Sequence, residues 1–99
     1  MSLISVPEAV AEVRDGRSLI VVDDPHRENE GDLIVAASCV TPDHINFMVT
    51  HARGLVCVPM TAGRLAELAL PLMGERNTTP TGTAFTVPGD ARHGTTTGL

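Results

Sequence analysis

The chain has 99 residues, 42% of them hydrophobic, a formal net charge of -5 and no lysine; its seven cations are arginines spread from Arg14 to Arg92. This length holds one small domain, read as residues 1–99, and the missing lysine excludes Schiff-base catalysis. Scattered arginines with only two aromatic residues, Phe47 and Phe85, disfavour a nucleic-acid partner and favour a small polar or anionic ligand.

In chain order, Ser5 followed by Glu8 has the form of a capping box, and Val6, Val10 and Val13 would share one face of a helix ending near Gly16. Residues 18–22 and 32–37 are short apolar runs suited to strands, which makes the charged stretch between them a connection. Thr41 before Pro42 opens a second helix, with Ile45, Met48 and Val49 as its apolar face and a stop near Gly54. A strand over 55–58, a short helix capped by Thr61, a loop over 70–77 and a strand near 83–87 complete the order. The alternation predicts an α/β, or α+β layered, domain in which helices cover a mixed sheet.

No apolar run approaches the roughly 20 residues of a bilayer span, and the N-terminus has no signal-peptide pattern. A cytoplasmic chain without a membrane partner is therefore expected, with Cys39 and Cys57 as free thiols. Within the apolar run 55–59, Cys57 reads first as a small buried hydrophobe.

The connection itself, Asp23-Asp24-Pro25-His26-Arg27-Glu28-Asn29-Glu30-Gly31-Asp32, crowds five carboxylates beside one guanidinium and one imidazole. Like charges this close repel, so the stretch makes most sense around a cation: Arg27, a metal ion or both. Glu28 and Glu30 suit magnesium, a hard ion held by one or two carboxylates with water and substrate oxygens. If the stretch is extended, Glu28, Glu30 and Asp32 share one side and Arg27 and Asn29 the other; in a loop that separation fails. The matching chemistry is proton abstraction beside a carbonyl, with a carboxylate base and a metal-held enediolate. By residue type alone, a solvated acidic turn explains the same stretch and is the commoner feature.

The string Asp23-Asp24 followed by Arg27-Glu28-Asn29-Glu30-Gly31-Asp32 strongly resembles the signature loop of the 3,4-dihydroxy-2-butanone 4-phosphate synthase family of riboflavin biosynthesis. Further segments resemble the same family in the same order: His51 to Pro59 around Cys57, Leu70-Pro71-Leu72-Met73, Gly82 to Val87, and Thr95-Thr96-Thr97-Gly98. The resemblance implies an incomplete synthase-like fold and conversion of ribulose 5-phosphate to the ketone phosphate and formate. It implies two magnesium (or manganese) ions, no organic cofactor, and a homodimer. Glu28 would be the metal ligand and a substrate contact, with Arg27 and Asp32 also binding the sugar phosphate. Glu30, Asp32 and Cys57 would serve catalysis, and Thr83, Thr96 and Thr97 would line the substrate pocket.

Two departures from the family pattern stand out. Pro25-His26 replaces acidic residues that usually follow the paired aspartates, and Thr81 stands where histidine or tyrosine is common. The family's arginine-proline-glycine-histidine motif, source of a histidine metal ligand, and its later glutamate are not among these residues. The 99 residues thus read as the N-terminal half of a synthase domain, expected to be inactive alone. The alternative is a non-catalytic module that keeps the front of the fold for binding or association.

Overall fold

The computed structural model describes residues 2–74 and 84–94. The chain divides into two compact units, Met1–Val58 and Pro59–Leu99.

In the first unit, helix α1 spans Val6–Arg14 and begins with the expected capping box. The Ser5 hydroxyl accepts the Glu8 N–H at 3.3 Å, and the Glu8 carboxylate accepts the Ser5 N–H at 3.4 Å and its O–H at 2.9 Å. Two of the orphan donors of the first turn, at Ser5 and Glu8, are thereby satisfied. The helix ends where Gly16 turns to φ +79°, a conformation that side chains rarely adopt; a Cβ there would also lie 3.3 Å from the Cys39 Cβ. Just beyond, the Arg17 guanidinium donates to Glu12 at 2.5 and 2.9 Å and to Asp15 at 3.0 Å. The expected apolar face is covered only in part. Val13 is half-buried, whereas Val10 is exposed and Val6 is 76% exposed, because α1 packs on a single short strand rather than on a broad sheet.

Strands β1 (Leu19–Val22) and β2 (Gly31–Ile34) form an antiparallel pair with Leu19 opposite Ile34, Ile20 opposite Leu33, Val21 opposite Asp32 and Val22 opposite Gly31. The second strand is shorter than the expected 32–37, since residues Ala37–Cys39 wind into a 3₁₀ turn. Gly31 lets the pair close: a Cβ at that position would meet the Ile20 Cγ2 at 3.2 Å.

Helix α2 (Pro42–Phe47) is again capped reciprocally, the Thr41 hydroxyl accepting the His44 N–H and the His44 Nδ1 accepting the Thr41 N–H at 3.0 Å. The predicted single helix to Gly54 is divided. Its second part, Met48–Ala52, widens into a π-type turn in which the Phe47 and His51 rings lie 4.6 Å apart. The turn closes with Arg53 at φ 60° and Gly54 at φ 76°. Residues 55–58 do not form the expected strand, because no ladder partner pairs with them among the described residues; Leu55 is 79% exposed.

In the second unit, helix α3 (Ala62–Glu67) is capped by Thr61, as expected. The expected final strand shrinks to one antiparallel bridge between Leu72 and Thr86, flanked by backbone bonds from Met73 to Phe85 and from Val87 to Pro71. Among the described residues the architecture is thus a partial α/β one, helices with a two-stranded antiparallel sheet. Mixed pairing does not occur among these residues, none of them is buried, and no helix is long and apolar enough to cross a membrane.

The Glu12 carboxyl sits below its ordinary value near 4.5, chiefly through the hydrogen bond from Arg17, with desolvation opposing. A depressed folded-state value means that this bridge stabilises the end of α1 fully above about pH 4.5 and is lost as pH falls through the lowered value. The protection of the Arg14 and Asp15 amides, relative to their intrinsic exchange rates at each pH, should fall on acidification through that window, and Glu12→Gln should abolish that fall.

Candidate functional site

The eight residues joining β1 to β2 form a folded loop, not an extended strand. The ladder continues one step beyond the sheet, with the Asp23 N–H donating to the Glu30 carbonyl at 3.4 Å. Inside this closure, Asp24 starts a tight turn: its side chain accepts the His26 N–H at 2.7 Å and its carbonyl accepts the Arg27 N–H at 2.9 Å. Asn29 then takes φ +53°, the left-handed conformation that asparagine tolerates better than most residues.

The Asp23 carboxylate faces into the loop. Its Oδ1 accepts the Glu30 N–H at 2.9 Å, and its Oδ2 accepts the Glu28 N–H at 3.0 Å and the Arg27 Nη1 at 3.0 Å. These donors hold its carboxyl below the ordinary value near 3.8; the Glu30 amide contributes most, partial desolvation opposes, and the Glu28 amide and Arg27 add to the lowering. Arg27 Nη1 also reaches the Glu28 Oε1 at 2.5 Å, and the paired carboxylates raise the guanidinium further above its already high value, Asp23 through its hydrogen bond first.

Arg27 and Glu28, which strand alternation would have set on opposite sides, are therefore an ion pair. Glu30 contributes its backbone to the loop and keeps its side chain exposed. Asp32 lies on β2 opposite Val21, two positions beyond Glu30, and is also exposed. Cys57 is a free thiol but not the buried hydrophobe that its apolar neighbours suggested; it is exposed, with its sulfur 3.9 Å from the Leu55 carbonyl. The reason is the unpaired segment around it, which leaves nothing to cover the thiol. Cys39 is free and half-buried. Thr83, Thr96 and Thr97 lie outside the described residues. Asp23 was part of the motif but had no role assigned from sequence. The available signal was an aspartate at the mouth of a loop rich in turn residues, where a short carboxylate can cap nearby amides.

Among the described residues no three His, Cys, Asp or Glu side chains converge as a metal cage. What the loop does offer is the exposed, hard carboxylate of Glu28, with that of Glu30 also exposed nearby in the chain. That fits a single protein ligand to a largely hydrated magnesium ion rather than a complete coordination sphere.

The family model described as 3,4-dihydroxy-2-butanone 4-phosphate synthase matches residues 7–99. The enzyme of that name from Pseudomonas aeruginosa is 54% identical over 99 residues, covering all of this chain and 27% of the relative. The one from Agrobacterium fabrum is 50% identical over 99 residues, and the match spans 46% of its length. A crystal structure of 3,4-dihydroxy-2-butanone 4-phosphate synthase in complex with two magnesium ions superposes with a TM-score of 0.88 at 45% identity, covering 96% of this chain and 44% of that one. The loop and the partial α/β fold are thus those of a known enzyme class. The chain belongs to the 3,4-dihydroxy-2-butanone 4-phosphate synthase family, and it spans less than half the length of these relatives.

The left-handed backbone at Asn29 predicts a selective cost. Asn29→Val should lower stability by about 1–2 kcal/mol, because a β-branched side chain resists positive φ, while Asn29→Gly should be close to neutral. Denaturant midpoints of the two variants check this directly.

Proposed function

We propose that this chain supplies part of the active site of a 3,4-dihydroxy-2-butanone 4-phosphate synthase, acting on ribulose 5-phosphate to give the ketone phosphate and formate. The carrying observation is the convergence of Arg27 and Glu28 in the acidic loop of a chain that belongs to this family. Among the described residues, Arg27 makes its side-chain hydrogen bonds through Nη1. Its Nε and Nη2 donors are thereby left for phosphate oxygens, which a planar guanidinium can grip bidentately.

Glu28 is assigned as a ligand of a divalent ion, magnesium or in its place manganese, with two ions in the complete site. Support comes from the hard, exposed carboxylate and from the relative whose structure contains two magnesium ions. A bound divalent ion stabilises negative charge on substrate oxygens when a proton leaves the neighbouring carbon. Glu30 and Asp32 are assigned to proton transfer, with Asp32 also contacting the sugar phosphate. Exposed carboxylates of different surroundings suit a reaction in which protons move on and off adjacent oxygens. On the family resemblance, Cys57 is assigned to catalysis beside the substrate, and Thr83, Thr96 and Thr97 to the pocket wall.

On the family resemblance, the same reading sets the protein in the cytoplasm and in a homodimer. Neither a nucleic acid nor a membrane is invoked as partner.

Because the described residues assemble no complete metal cage, the 99-residue polypeptide alone should release no formate from ribulose 5-phosphate. Mixing it with a polypeptide carrying the remaining half of a curated relative should restore release. In the same mixture, Glu28→Gln should abolish turnover and weaken manganese binding more than about tenfold, measured by electron paramagnetic resonance. A folded mixture that neither binds manganese nor releases formate would sink this reading and leave a binding or association module.

A further inference from the structure

We infer that Asp23 is a positioning residue, whose carboxylate clamps the acidic loop so that Arg27 and Glu28 face a ligand together. The claim that a ligand is met there rests on the function proposed above; the clamp itself is a property of this chain. One carboxylate receives three hydrogen bonds, from the amides of Glu28 and Glu30 and from the Arg27 guanidinium, all at 2.9–3.0 Å. The Asp23 amide adds a fourth link, to the Glu30 carbonyl. The side chain is only 24% exposed, against 56% for Arg27 and 37% for Glu28.

These bonds define what Asp23 does and does not do. A carboxylate whose two oxygens already face three donors is poorly placed to ligate a cation or to take up a substrate proton, so its contribution passes through its neighbours. The amides it holds belong to Glu28 and Glu30, on either side of Asn29. Fixing both ends of that left-handed step determines which way the Glu28 side chain leaves the loop. The bond to Nη1 simultaneously fixes one edge of the guanidinium, and among the described residues Nε and Nη2 make no side-chain hydrogen bond. An aspartate is well suited to this task, being short enough to stay inside the loop and charged enough to satisfy three donors at once.

Asp24 provides a matched control. It lies next in the chain and carries the same charge, yet among the described residues its side chain caps only the His26 amide. If proximity of negative charge were all that mattered, the two aspartates would be interchangeable.

The test uses amide hydrogen exchange on the 99-residue chain and manganese titration of its mixture with the complementary half. In the unsubstituted chain, the Glu28 and Glu30 amides should exchange at least about tenfold more slowly than that of Asn29, as hydrogen bonds to a charged acceptor imply. In Asp23→Asn they should accelerate about tenfold or more while α1 amides keep their rates. Asp24→Asn should leave both amides unchanged. Equal exchange at residues 28, 29 and 30 in the unsubstituted chain would overturn the inference, and that measurement stands even if Asp23→Asn fails to fold. Manganese separates the clamp from the proposed function. Binding that is insensitive to Glu28→Gln discards the metal site without touching the clamp. Binding that Glu28→Gln weakens, but that Asp23→Asn and Asp24→Asn weaken equally, reduces Asp23 to a background charge and overturns its positioning role.

Discussion

The acidic loop is held by hydrogen bonds to one carboxylate more than by attraction between ions. Five carboxylates within ten residues disfavour a compact turn, and the single arginine among them cannot offset that alone. At about 4 Å in water two unit charges gain only about 1 kcal/mol, and exposed ion pairs usually contribute less than that. Arg27 and Glu28 are both substantially exposed, so their pairing is weak by this standard. The backbone amides of Glu28 and Glu30 supply what the ion pair does not. Each has no helical or ladder partner in the turn and would otherwise need water, and the Asp23 carboxylate accepts both from a position that is three-quarters covered.

The parts of the molecule legible in the sequence are those whose causes are local. Ser5 with Glu8, Thr41 before Pro42, and Thr61 each mark a helix start through a bond to an amide three residues on, and all three helices begin there. The paired strands and their charged connection were legible for the same reason, an apolar run on each side of residues that favour turns. Residues 55–58 show the limit. Their β-branched character suits a strand, but a strand exists only where a neighbour offers its donors and acceptors, and no local pattern specifies that neighbour. The π-type turn after Phe47 was hidden too, since it depends on how Met48 to Ala52 meet β2.

Within the site, residue types were legible and geometry was not. The family string singled out Arg27, Glu28, Glu30 and Asp32, but alternation along a strand would have parted Arg27 from Glu28. The turn that Asp24 opens, with its carbonyl accepting the Arg27 N–H, breaks that alternation, and the two side chains meet instead. Sequence could suggest that Asp23 caps something; only the folded loop shows that it caps the amides of both glutamates.

The weakness of the Arg27–Glu28 pair bears on the proposed chemistry. A carboxylate locked in a buried ion pair would have to lose a strong, desolvated partner before it could take up a metal ion. Here the partner is exposed, and it is held independently by Asp23, so under the proposed function Glu28 would exchange the guanidinium for a divalent cation at small cost while Arg27 kept its place. Under the proposed function, Arg27 and a cation held by Glu28 would together seat a phosphorylated ketose, the metal taking oxygens of the sugar and the guanidinium those of the phosphate. Such an exchange requires that the loop not collapse when the ion pair opens, and the amide bonds to Asp23 meet that requirement because none of them involves the Glu28 side chain.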